Sequence, residues 1–170
     1  MKILALDPGN VRTAYVAYDT ETHRVTSKDL ADNETIKQVV ADGRGCDLCA
    51  IEMVACYGMA VGATVFDTAR WVGRFQEAWR GSTPAVLVYR REVKLAVCGQ
   101  CKAKDSNIRA ALMDLFPATG GGKTPAVGTK AQPGPLYGFK ADLWAALGVA
   151  VTFADSIGAR PLYGRERRAV

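Results

Sequence analysis

Apolar residues are arranged in two ways along this chain, as short dense runs and as longer stretches with helical spacing. Residues 2–6, Lys2-Ile-Leu-Ala-Leu6, form a nearly continuous apolar run, the pattern of a central strand covered on both faces. Asp7 closes the run, and Pro8-Gly9-Asn10 carries turn chemistry. Residues 13–18 predict a second strand, and residues 23–27 a third that is polar enough for a sheet edge. Residues 32–40 predict a helix capped by Asp32 or Asn33, and residues 48–54 a fourth strand. Over residues 61–79, Val61, Val65, Ala69, Val72, Phe75 and Trp79 recur close to the helical period, predicting a long amphipathic helix. A fifth strand follows at 85–89 and a helix at 106–115, with Lys104 and Asp105 at its start. Residues 141–157 predict a last helix that is apolar on nearly every side. Between these helices, residues 117–135 are rich in Gly, Pro and Lys and predict a mobile loop with little to pack.

A strand meander followed by alternating helices and strands predicts an α/β fold, a mixed sheet with helices on both faces. The 170 residues suit one domain, and no internal repeat or linker interrupts them. The expected division is a domain over residues 1–157, containing a basic Gly/Pro-rich loop at 117–137, and a basic tail over 158–170.

Charge sharpens this picture. The net charge of +5 favours a polyanionic partner. Lys123, Lys130 and Lys140 lie in a stretch, 118–140, that has no acid. The end of the chain sets Arg160, Arg165, Arg167 and Arg168 against Glu166. Loops and tails are also charged simply for solubility, so the basic segments only nominate contacts with a polyanion. No apolar run approaches the roughly 20 residues that span a bilayer, and the first one ends at Asp7, so a cytoplasmic protein without a membrane partner is expected.

Several motifs are discounted. Cys46-x-x-Cys49 and Cys98-x-x-Cys101 have zinc-ribbon spacing, but Cys49 opens an apolar strand where a zinc knuckle needs a turn. Gly120-Gly-Gly-Lys123-Thr124 resembles a phosphate loop, yet Pro117 stands where that pattern needs glycine. His23, the only histidine, lies in an expected edge strand, which argues against histidine acid–base chemistry. Trp71, Phe75 and Trp79 fit core or dimer packing better than a ligand site.

Three acids remain in apolar settings. Asp7 ends the first strand, Glu52 interrupts Ala50-Ile-Glu-Met-Val54, and Asp142 opens the most hydrophobic helix. An unpaired charge in such places is costly, and gathering the three around a divalent cation removes that cost. Any one alone is more simply a cap or a surface carboxylate. Three in comparable settings point to phosphodiester hydrolysis assisted by Mg2+, with Mn2+ as a substitute, because magnesium prefers carboxylate, phosphate and water oxygens.

These segments resemble the RuvC-type Holliday junction resolvases, especially their bacteriophage relatives. Ile3-Leu-Ala-Leu-Asp7-Pro-Gly9 is similar to the family's first strand with its catalytic aspartate, and Ala50-Ile-Glu52 to its fourth strand with the catalytic glutamate. Arg91-Glu-Val-Lys94-Leu-Ala-Val-Cys-Gly99, followed by Lys104-Asp105, is similar to the segment after the fifth strand, and Asp142-Leu-Trp-Ala-Ala-Leu-Gly-Val-Ala150 to the last helix. The resemblance covers residues 1–157 in order. It implies a ribonuclease H-like fold with sheet order 3-2-1-4-5 and a homodimer that nicks opposing strands of a four-way DNA junction. It also implies Asp7, Glu52 and Asp142 as metal ligands, and Lys94 and Lys104 near phosphates. Tyr57 or Met59, in a region that reaches the junction centre in these resolvases, would either wedge against unpaired bases or pack under the long helix. The family's last motif carries a second ligand three residues after the first, which here falls on Ala145. That departure leaves the second metal one ligand short and makes Asp105 a candidate fourth acid. It also keeps open a junction-binding protein of weak catalysis, beside flap, fork or RNA–DNA hybrid nucleases of the same fold.

Overall fold

The computed structural model describes residues 1–56, 58 and 60–162. The chain runs β1 (Lys2–Pro8), β2 (Arg12–Asp19), β3 (Arg24–Asp32), α1 (Asn33–Asp42), β4 (Leu48–Met53), α2 (Ala63–Ala78), β5 (Val86–Tyr89), α3 (Arg90–Cys98), α4 (Asp105–Asp114) and α5 (Ala141–Ser156). The strands form one five-stranded sheet in the order β3-β2-β1-β4-β5. The β1–β2 and β2–β3 pairs are antiparallel, whereas β4 and β5 run parallel to β1.

Strand alternation divides the core in two. Leu4, Leu6, Tyr15, Cys49 and Ile51 face α1 and α2, where Val72, Phe75 and Trp79 are buried with Trp71. Ile3, Ala5, Ala14, Val16, Ala50 and Val88 face the opposite way, towards α3, α4 and α5. Helix α5 lies between the sheet and α3 and α4, so Leu143, Leu147, Val149, Ala150 and Val151 are all buried. This enclosure explains why its sequence lacks a polar face. The α2 aromatics thus serve the core. The two Cys-x-x-Cys pairs are also divided, with Cys46 and Cys49 against the α2 side and Cys98 against the α5 side.

Three local expectations need correction. Residues 90–98 form a helix that the sequence pattern did not disclose. Its apolar stripe reduces to two buried residues, Val93 and Val97, too few to register as a period in so charged a segment. It is set by Glu92, whose carboxylate accepts from the Tyr89 backbone N–H at 2.6 Å.

The segment 117–137 is folded rather than loosely attached. Ala126 and Leu136 are buried in the α5-side core, and Leu136 N–H donates to the Ala126 carbonyl at 2.8 Å. Gly120 N–H donates to Pro125 at 2.8 Å and Gly134 N–H to Val127 at 3.0 Å. Closely stacked glycines let these backbone strands approach, which composition alone does not reveal.

Arg160 is an interior side chain rather than a free tail charge. It is 9% exposed, its guanidinium lies 5.0 Å from the Phe116 ring centroid, and it donates to the Tyr18 hydroxyl and the Leu115 carbonyl. Arg165, Glu166, Arg167 and Arg168 lie outside the described residues. Among the described residues, no helix is long and apolar enough to cross a membrane.

Candidate active site

Strand parity places the first two acids. Asp7 follows the buried Ala5 by two residues, and Glu52 follows the buried Ala50 by two, so both point to the α5 side. The register runs from Ile3 opposite Leu48 to Leu6 opposite Ile51, which sets Asp7 beside Glu52 at the next step. The turn after β1 is tied down by Asn33, whose side chain donates to the Gly9 carbonyl at 3.0 Å and accepts from the Thr13 hydroxyl at 2.7 Å. Asp32 is the cap of α1 and accepts from Thr35 N–H at 2.9 Å, which frees Asn33 for this tie. Asp142 sits in the first turn of α5, directly over this end of the sheet.

Asp7, Glu52 and Asp142 line one cleft of about 590 Å³. Asp105, from the start of α4, lines it too, as does Ala145, one turn after Asp142. Two cations that sequence reasoning missed complete the wall, Arg90 and Arg109. Arg90 follows the buried Val88 by two residues at the end of the strand next to Glu52, so the same parity would have found it. Arg109 lies over the Trp144 ring, 4.9 Å from its centroid. Asp7, Glu52 and Arg90 also line a smaller hollow of about 290 Å³, with Met53, Val54, Ala55, Ala60 and Val65.

The electrostatics follow from burial. Desolvation, then repulsion from Glu52 and Asp142, pushes the Asp7 carboxyl from its ordinary value up to about 8. Burial also raises Glu52, against the opposing pull of Arg90. Burial works against the Arg90 charge as well, but Glu52 and Asp105 more than restore it. Arg90 Nη2 is 2.7 Å from Asp105 Oδ1, and Nη1 is 3.5 Å from Glu52 Oε2. Both Nη1 and Oε2 are buried and lack a hydrogen-bond partner, so this second contact is an ion pair without hydrogen-bond alignment. Among the described residues, no three His, Cys, Asp or Glu side chains are gathered as a formed metal site. The acids share a cleft, but Arg90 stands among them.

A pH dependence follows. The folded-state value of Asp7, about 8, lies above its ordinary value of 3.8, so the folded protein holds a proton the unfolded chain gives up. That stabilisation is complete below about 4 and is lost as the pH rises through about 8. Calorimetry of the chelator-treated protein should show stability declining across this window, and the decline should be shallower in Asp7→Asn.

The five lysines read from the sequence do not line the cleft. Lys104 and Lys140 are exposed at the N-caps of α4 and α5, immediately outside the helices that carry Asp105 and Asp142. Lys123 and Lys130 are exposed on the packed loop, and Lys94 is half-buried on α3. Tyr57 and Met59 lie outside the described residues.

The fold is ribonuclease H-like, in the form seen in RuvC. The chain is similar to Thermus thermophilus RuvC, with a TM-score of 0.64 and 17% identity over 94% of this chain and 98% of that one. It is equally similar to T. thermophilus RuvC in complex with a Holliday junction substrate, with a TM-score of 0.64 and 16% identity over 94% of this chain and 97% of that one. No family model and no curated protein matches the sequence.

Proposed function

We propose that this chain is a Mg2+-dependent endonuclease that cuts branched DNA, four-way junctions above all. The observation that carries this reading is the convergence of Asp7, Glu52 and Asp142, from β1, β4 and α5, on one open cleft. The fold shared with a RuvC solved on a Holliday junction substrate supports the choice of DNA. The bacteriophage affinity and the homodimer rest on the sequence resemblance alone.

The donors fit a hard divalent ion. They are all oxygens, Glu52 Oε2 is buried without a hydrogen-bond partner, and burial, then repulsion from Glu52 and Asp142, drives Asp7 towards its neutral form despite Arg90. Asp7, Glu52 and Asp142 would hold Mg2+, or Mn2+ in its place. When held there, such an ion would supply a polarised water and a positive charge beside the phosphate and the leaving oxygen. Asp7 and Glu52 sit on rigid strand ends, so their positions are set by the sheet rather than by a loop. Asp142 is exposed at the mouth, where it can engage without closing the cleft to a DNA backbone. Arg109, steadied on Trp144, faces the same space with a fixed positive charge suited to a phosphate. Lys104 and Lys140 flank the cleft, and Lys94, Lys123 and Lys130 would extend the contact along the duplex arms, with Tyr57 or Met59 as wedge against unpaired bases.

Ala145 favours a second reading. It lines the cleft where the resemblance calls for another ligand, so a junction-binding protein of weak catalysis is the alternative. The deciding experiment compares a four-way junction, a flap, a fork and an RNA–DNA hybrid at equal concentration with Mg2+ and then Mn2+. Preferential cutting of the junction is expected. Preference for another substrate would keep the nuclease and change its target, and binding without cutting in either metal would establish the alternative.

A further inference from the structure

We propose that Arg90 is the resident counter-cation of the carboxylate cleft, and that a divalent ion loads by displacing it. This rests on the metal-dependent reading above. Arg90 projects from the first residue of α3 to the same side as Asp7 and Glu52, and all three line the cleft with Asp105 and Asp142. Its two contacts are unequal. The one to Asp105 is short, 2.7 Å, and its partner's side chain is 79% exposed. The one to Glu52 is longer, 3.5 Å, and neither participating atom makes a hydrogen bond.

The inner contact is therefore the one easily given up. A buried charge pair recovers its desolvation cost only with good geometry and full hydrogen bonding, and the Arg90–Glu52 pair has neither. The guanidinium cannot relieve repulsion from an incoming dication by losing a proton, because its charge is permanent at any working pH. It can only move. Asp105 offers a way out, since an exposed partner on the outer wall lets the side chain swing from Glu52 while keeping one ion pair. The metal-free protein is thus spared four mutually repelling acids in one cleft, and Glu52 becomes available when a stronger cation arrives.

The test measures Mn2+ binding to the full chain by calorimetry, without DNA. Arg90→Met keeps the side-chain bulk and removes the charge. It should raise Mn2+ affinity by at least about tenfold, the scale on which one adjacent charge moves an ionic equilibrium. It should also enlarge the gain in Tm that Mn2+ produces. A second measurement uses the unaltered protein, so it survives any folding defect in the variant: Mn2+ should speed modification of Arg90 by phenylglyoxal, followed by peptide mass spectrometry. Measurable but equal or weaker Mn2+ affinity in Arg90→Met, or Arg90 modification that Mn2+ leaves unchanged or slows, would overturn the displacement. Absence of Mn2+ binding in both proteins would instead remove the metal-dependent reading, and the inference with it.

Discussion

Asp7→Asn is expected to reduce junction cleavage by at least about a thousandfold, the loss that corresponds to about 4 kcal/mol of transition-state stabilisation. Asp7, like Glu52, is far more enclosed than Asp142, and it feels the charges of Glu52, Asp142 and Arg90. Asn keeps its shape and one oxygen but removes the charge that a metal site requires. Junction binding should persist or strengthen, because the proposed phosphate contacts would come from the surrounding cations and a negative charge has left the cleft. The same change should stabilise the metal-free protein near pH 8, where the wild-type carboxyl is being forced to ionise among like charges. Quantified cleavage and gel-shift assays, paired with calorimetry in chelator, check all three. Undiminished cutting would remove Asp7 from the chemistry, and higher stability with lost activity is the pattern expected of a residue kept for function.

The largest effect on folding is expected in the loop that composition marked as unstructured. Gly128 has φ of +77°, and a Cβ there would lie 2.2 Å from the Gly134 nitrogen and 2.4 Å from the Gln132 carbonyl oxygen. Both obstacles are backbone, so neither can rotate away. Gly128→Val should cost more than about 3 kcal/mol, adding left-handed strain to steric overlap. Gly138 is the control: its φ is +78°, but nothing lies within 4 Å of an added Cβ. Gly138→Ala should cost only the strain, about 1–2 kcal/mol. Urea unfolding of the two variants checks the difference. Equal losses would mean that the close backbone stacking carries no weight. Because Leu136 and Phe139, on the stretch that leads into α5, are buried in the α5-side core, the valine variant should also lose activity.

The contrast between these two regions explains what the sequence revealed. Strands that bury both faces announce themselves as apolar runs, so β1 and β4 and the acids that break them were legible from a few residues. The meander and the alternating helices then limited the sheet to few arrangements. Helix α5 was legible for a similar reason, since only an enclosed helix can do without a polar face. The site was less legible on its cationic side. Arg90 lies in the charged run Tyr89-Arg-Arg-Glu92, where nothing in composition distinguishes it from Arg91; strand parity at the end of β5 does. Asp105 looked like a helix-start acid, and its place opposite Arg90 depends on how α3 and α4 pack. The loop was misjudged because glycine reads as flexibility in a sequence, whereas here it allows close packing. Arg160 was misjudged because a basic residue near the end of the chain resembles a solvated tail until Tyr18 and Phe116 are seen around it.

The position of α5 has a consequence for synthesis. This helix is the filling of the α5-side layer, yet the ribosome makes it after every strand. Until it emerges, Ile3, Ala5, Ala14 and Val16 have no cover on that side, and a nascent chain presents a bare apolar sheet face. Folding on this side therefore completes only after α5 itself has left the tunnel, and early termination upstream of α5 should yield a sticky fragment for chaperones or proteases rather than a smaller working protein.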